Sequence, residues 1–269
     1  MEQTTVGFIG CGHLATAIMQ GMLAEDPAFA QNIYVSNHTM GKLEAFREKF
    51  PVHISTDNAV PAKEADLLFL TIKPSLYPQV LAEIKSGLRP STILVSVAAG
   101  VSIASVEDVL GTDAKIIRCM PNTPSLVGEG MSALCPSSSV TDEDMEKAHK
   151  IFGMFGKYET VEESLFDTVT GVSGSGPAYV YMFIDAMAKA AEKDGMDREK
   201  AVAFAAQTAL GAAKMVLESG TDPQSLTESV CSPGGTTIEA VKVFREDGLY
   251  ELVEKAQHAC VEKSRNMGK

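Results

Sequence analysis

A short apolar run, residues 6–9, passes directly into Gly10-Cys11-Gly12-His13-Leu14-Ala15, and residues 14–23 then carry helical periodicity. Strand, Gly-x-Gly-x-x-Ala turn and helix in immediate succession open a βαβ unit. Gly10 permits the tight turn, Gly12 lets the backbone approach a pyrophosphate, and Ala15 allows close helix–strand packing. The helix start adds free N–H groups and a positive dipole end. Further strands are expected at 33–36, 67–72, 93–97 and 116–118, spaced for βαβ crossovers. Residues 67–72, Leu-Leu-Phe-Leu-Thr-Ile, lack polar alternation, as a strand covered by helices on both faces does. Residues 1–162 are therefore expected to form an α/β, Rossmann-type doubly wound sheet, with 131–134 and 156–161 adding strands at its far edge.

Beyond about residue 163 the strand signals stop, and residues 163–269 read as an all-α helical domain for substrate binding and dimerisation. Pro177 suits the start of a helix reaching residue 193, and Gly195 stops it. Asp197 caps a second helix over 198–219, ended by Gly220. Helices are also expected from Pro223, Thr236 and Leu249. The 198–219 segment carries Ala201, Ala203, Ala205, Ala206, Ala209, Ala212 and Ala213 and is apolar around most of its girth. About a hundred residues can hardly bury such a helix, so a second subunit is expected to cover it, the alternative being a helix clamped between the two domains of one chain.

A formal charge of −12 argues against nucleic acid or an anionic membrane surface as partner, because both call for basic patches. No apolar stretch is long enough for a membrane span. The N-terminal residues lack a basic leader region. Five dispersed cysteines form no CxxC pair and no metal-ligand spacing, and read as reduced thiols of a cytoplasmic protein with no metal site.

The end of the second strand should set the cofactor. NAD sites usually carry a carboxylate there; this chain has Ser36, Asn37, His38 and Thr39. Hydroxyl and amide donors accept a 2′-phosphate, so NADPH is favoured, with NADH as the alternative. Other loops leave the carboxyl ends of strands, where ligands of open α/β sheets lie: Ile72-Lys73-Pro74, Val97-Ala98-Ala99 and the loop holding Asn122. Asn58 fits a turn or a ribose contact equally well.

Two Ser/Gly-rich junctions open helices in the second half, 171–179 (GVSGSGPAY) and 232–238 (SPGGTTI). The first holds Ser175. The second offers Ser232, Gly235, Thr236 and Thr237 as a carboxylate receptor, and Thr236 with Glu239 has capping-box spacing. No His/Asp relay and no lysine stands in these junctions. A cyclic imine is basic enough to be protonated from solvent or through hydroxyls, and hydroxyls, backbone N–H groups and an oriented nicotinamide suffice to reduce it.

With these motifs in this order, together with Ala98-Ala99-Gly100-Val101 and Arg118-Cys119-Met120-Pro121-Asn122-Thr123-Pro124, the sequence resembles the pyrroline-5-carboxylate reductases over nearly its whole length. The resemblance implies NAD(P)H-dependent reduction of the C=N bond of 1-pyrroline-5-carboxylate to L-proline. It implies cofactor contacts at Ile9, Gly10, Cys11, Gly12, His13, Leu14, Asn37, Asn58, Ile72, Lys73, Pro74, Val97, Ala98 and Ala99. It also implies substrate binding around Ser232 and Gly235 to Thr237, with Thr237 on the imine nitrogen, and homodimers that assemble into rings. One departure is Gly220, where some members carry a glutamate; Glu218 lies two residues away. Two other classes fit parts of the pattern. The first is another Rossmann imine or keto-acid reductase; one acting on a β-hydroxyacid would need a lysine early in the helix from Pro177, whose first lysine is Lys189. A non-catalytic redox sensor would not need hydroxyls at both junctions.

Overall fold

The computed structural model describes residues 4–267; residues 1–3, part of the N-terminal stretch read above, lie outside the described residues. The strands are β1 (Val6–Ile9), β2 (Ile33–Ser36), β3 (His53–Ser55), β4 (Leu67–Leu70), β5 (Ile93–Ser96), β6 (Lys115–Met120), β7 (Gly130–Pro136) and β8 (Gly156–Thr160). They form one sheet in the order β3-β2-β1-β4-β5-β6-β7-β8, the doubly wound pattern with an extended far edge. Every neighbouring pair is parallel except β6 and β7. Ile9 pairs with both Ser36 and Leu70, so the carboxyl ends of β1, β2 and β4 lie level.

Two outcomes in the sheet differ from the sequence expectation. The edge strand β3 was not anticipated: it has three residues, His53 is exposed, and so short a segment shows no period. The β4 strand stops at Leu70 rather than 72, because Thr71 turns to bond the glycine loop, as described below.

Helices cover both faces. On one side lie α1 (His13–Glu25), α2 (Met40–Arg47) and, later in the chain, Asp142–Gly153; on the other lie α3 (Ala59–Glu64), α4 (Tyr77–Ile84) and α5 (Ile103–Leu110). The β4 residues divide between them: Leu67 and Phe69 face the first side, Leu68 and Leu70 the second, and all four are buried. That period-two division is why the run is apolar at every position. The Asp142–Gly153 helix, α6, opens with a capping box between Thr141 and Asp144.

The sheet ends near residue 162, where the sequence placed the domain boundary; the compact units divide later, at Gly174/Ser175, and the chain from Cys260 onward belongs to the first unit. Side chains explain the extra residues. Phe166, in the short helix α7 (Phe166–Val169), is buried with Met120 and Ala133 under the Arg118 guanidinium, 4.5 Å from its ring. Glu163 pairs with Arg118 at 2.9 Å and accepts the Ile103 N–H at 2.8 Å. Ser264 donates to Asp167 at 2.6 Å, tying the end of the chain to α7.

The second unit is helical: α8 (Gly176–Lys193), α9 (Arg198–Ser219), α10 (Pro223–Ser229), α11 (Thr236–Glu246) and most of α12 (Leu249–Arg265). Asp197 and Asp222 cap α9 and α10 by accepting amides of their first turns. Gly220 closes α9 at φ +66°, a left-handed position that a glutamate would occupy only with strain, while Glu218 faces Lys214 at 3.8 Å. Small residues bring α8 and α9 together at Ala188, Ala201 and Ala205. Elsewhere α9 is bare, with Phe204 66 % and Leu217 82 % exposed.

Candidate functional site

The β1–α1 turn is built around one glycine that must be glycine and one that need not be for folding. Gly10 sits at φ +100°, and a Cβ there would stand 2.6 Å from the Thr71 carbonyl. Its N–H donates to Ser36 O at 2.8 Å, and the Thr71 hydroxyl reaches the carbonyls of Ile9 (3.0 Å) and Gly10 (2.8 Å). Thr71 is thus a support that the sequence reading missed; its only signal was a hydroxyl at the polar end of an apolar strand. Gly12 differs: its backbone is extended, and a Cβ would meet nothing within 4 Å. It forms the N-cap of α1 without a side-chain cap, and no acidic residue stands in the first turn. The amides of His13, Leu14 and Ala15 have no partner among the described residues, as the first N–H groups of a helix do, and His13 at the start of the helix is exposed. Ala15 is fully buried against the sheet. Burial pushes the Cys11 thiol up, with Thr16 and Lys42 acting the other way, so a neutral thiol lines the turn.

A cleft of about 640 Å³ runs from Cys11, Gly12 and His13 along α1 toward Lys42 and Lys49 of α2 and Thr123 and Leu126. Lys42 lies in the first turn of the helix after β2, a cation that sequence reasoning passed over because it looked only at strand ends. Ser36 and Asn37 are less available than expected. Ser36 is buried and donates to Asn58 Oδ1 at 2.8 Å, which orients the Asn58 amide; Asn58 Nδ2 faces Glu83 at 3.3 Å. Asn37 bonds the Thr39 carbonyl at 3.2 Å, leaving His38 and Thr39 exposed beside it.

The remaining loops also fall at the carboxyl ends of strands. Ile72 is half-buried, Lys73 and Pro74 are exposed, Val97 and Ala98 are buried, and Ala99 is half-buried. Beneath them the Tyr77 hydroxyl donates to Leu70 O at 2.9 Å and accepts from Ser96 at 3.3 Å, locking the ends of β4 and β5. Burial pushes the Tyr77 phenol up to about 12, so it remains a neutral donor. Asn122 lies at the end of β6, with its side-chain amide bonded to Met131 and Ser173.

Both glycine-rich junctions open helices, as expected. Ser175 is the N-cap of α8, preceded by one π-helical turn over Thr170–Gly174. Lys189 of α8 pairs with Asp185 at 2.7 Å. At the second junction the N-cap of α11 is Gly235, not Thr236, and no side chain caps it. The Thr236–Glu239 capping box therefore does not form: Pro233 and Gly234, at φ +72°, bring the chain round one residue later, which leaves Thr236 at the first helical position. The Gly235 N–H is taken by Ser232 O at 3.0 Å, and a Cβ on Gly235 would stand 2.6 Å from Ser232 Oγ. The amides and hydroxyls of Thr236 and Thr237 have no partner among the described residues; Thr236 is exposed and Thr237 half-buried. Such a turn can hold an anion at a helix start and present hydroxyls beside it.

Comparison with known proteins agrees with both halves. Residues 5–100 match a family model described as NADP oxidoreductase, coenzyme F420-dependent, and residues 163–267 match one described as pyrroline-5-carboxylate reductase dimerisation. The chain is 45 % identical over 264 residues to a pyrroline-5-carboxylate reductase of Escherichia coli (strain K12), covering 98 % of each. It is 40 % identical to that of Methanosarcina acetivorans over the full length of both. The crystal structure of Plasmodium falciparum pyrroline carboxylate reductase with NADP bound superposes with a TM-score of 0.89 at 31 % identity, covering 100 % of both chains. Similarity of this degree, unbroken from the glycine turn to the last helix, settles descent: the chain belongs to the pyrroline-5-carboxylate reductase family.

Proposed function

We propose that the protein reduces the C=N bond of 1-pyrroline-5-carboxylate to L-proline at the expense of NADPH, the last step of proline biosynthesis. The observation that carries this reading is the end-to-end match to reductases of that name. The β1–α1 turn fits the cofactor: open space at Gly12 and unpartnered first-turn amides suit a pyrophosphate. When bound, NADPH supplies the hydride. His38, Thr39 and Lys42 supply donors and charge for a 2′-phosphate, Asn58 faces the ribose, and residues 72–74 and 97–99 line the nicotinamide side. Ser232 and the Thr236 and Thr237 amides hold the substrate carboxylate, with Gly235 shaping the turn and Ser175 adding a hydroxyl at the start of α8. The Thr237 hydroxyl hydrogen-bonds the imine nitrogen and assists its protonation.

The bare apolar surface of α9 supports a homodimer, and the dimers are read as assembling into rings in a cytoplasmic enzyme. Residues to 162 bind the nucleotide, and residues 163–269 bind substrate and dimerise. Steady NADPH oxidation with 1-pyrroline-5-carboxylate is the expected result of an imine screen. Inertness with that substrate, alongside turnover of a keto acid, would overturn the proposal. Asn37→Asp places a carboxylate beside the 2′-phosphate and is expected to raise the Kd of NADPH about tenfold relative to that of NADH. Titration with both nucleotides checks this, and an unchanged ratio would put the phosphate elsewhere.

A further inference from the structure

The side chain of Asn122 is engaged within the protein through both its oxygen and its nitrogen. Its Oδ1 accepts the Met131 N–H at 2.9 Å, and its Nδ2 lies 3.2 Å from both the carbonyl oxygen and the Oγ of Ser173. An asparagine amide has two N–H donors and a carbonyl oxygen with two lone pairs, so this set uses most of its capacity within the protein. Its backbone carbonyl is engaged as well, accepting from the Ser125 hydroxyl at 2.8 Å and the Ser125 N–H at 3.3 Å.

The corner it belongs to has no slack. Ser125 is fully buried, a Cβ on Gly130 would stand 2.3 Å from Ser125 Oγ, and one on Gly21 would stand 2.1 Å from Ser125 O. Asn122 thus joins a rigid corner at the β6–β7 connection to the π-helical turn Thr170–Gly174, which lies 51 residues away in sequence at Ser173. π-turns widen the helix and leave local carbonyls with imperfect partners, and they occur often at functional sites. Here the Ser173 carbonyl receives its donor from Asn122, two residues before Ser175 and the start of α8.

We infer that Asn122 is a positioning residue: it holds the Ser173 carbonyl and thereby sets the turn that delivers Ser175 and the first turn of α8 to the substrate. This rests on the reductase reading above, and it gives Asn122 a different task from the cofactor contact expected from its place in a strand-end loop. Both functions of one planar amide are needed. Alanine removes donor and acceptor together, while aspartate keeps the acceptor for Met131 and loses the donor to Ser173.

The test compares Asn122→Ala, Asn122→Asp and Ser173→Ala with wild type by steady-state kinetics, NADPH titration and amide hydrogen exchange. Both Asn122 variants are expected to lower kcat/KM for 1-pyrroline-5-carboxylate at least about tenfold, since a small displacement of a binding turn is costly. NADPH Kd should stay within about threefold of wild type, because no direct bond to nucleotide is lost. Exchange of amides in residues 171–178 should rise at least about tenfold while that of β1 and β4 is unchanged. Adding Ser173→Ala to Asn122→Ala should cost less than the product of the single effects, as for residues acting through one contact. If Asn122→Ala gives no cooperative melt, Asn122→Asp carries the same criteria. A tenfold or greater weakening of NADPH with substrate kinetics intact would overturn the inference in favour of direct cofactor contact, and unchanged exchange at 171–178 would overturn it outright. The exchange readout needs no substrate, so it judges Asn122 even if the wild type proves inert toward 1-pyrroline-5-carboxylate.

Discussion

Gly12→Val is expected to weaken NADPH binding about a hundredfold while leaving the protein folded, since it removes the equivalent of two charge-assisted hydrogen bonds. The two halves of that expectation come from the same observation. A Cβ at Gly12 meets no protein atom within 4 Å, and the residue has an extended backbone that any side chain adopts, so the substitution costs the apoprotein little. In the proposed cofactor site the phosphates reach the first-turn amides of α1 through that space, and an isopropyl group there would hold them away. Gly10 is the contrast: at φ +100° with the Thr71 carbonyl 2.6 Å from any Cβ, its substitution should cost folding itself. Nucleotide titration alongside thermal melting separates the two. A Gly12→Val protein that binds NADPH as tightly as wild type would remove the pyrophosphate from this turn.

The second large effect belongs to Thr237. Thr237→Ala is expected to lower kcat by roughly ten- to a hundredfold, the usual consequence of losing one oriented donor to a reacting atom. NADPH affinity should be unaffected, and Thr237→Ser should recover most of the rate because it restores the hydroxyl. The side chain is half-buried, makes no hydrogen bond to the described residues and sits in the first turn of α11, so alanine leaves the local fold intact. Wild-type turnover in Thr237→Ala would strip the residue of its role.

Much of the fold was legible because it rests on local rules. Asp197 and Gly220 bracket α9, and both act through bonds or torsions within a few residues. Leu67 to Leu70 declared a doubly covered strand by composition alone. β3 was not legible, since three residues with an exposed histidine have no period to read. The α11 cap was misjudged for a related reason: Thr-x-x-Glu spacing identifies a box only if threonine is the residue where the chain turns, and the Gly234 torsion moved that point to Gly235.

Most of the strands and helices, the β1–α1 glycine turn and the family were thus determined by the sequence itself, because each is written in short-range pattern and torsional preference. The tertiary structure decided which polar groups are left over to meet a ligand. Ser36 gives its hydroxyl to Asn58, Thr71 gives its own to Gly10, and Asn122 gives its amide to Ser173, across separations of 22, 61 and 51 residues. A donor has few bonds to make, and whether a distant partner has already claimed them is known only once the chain has brought that partner near.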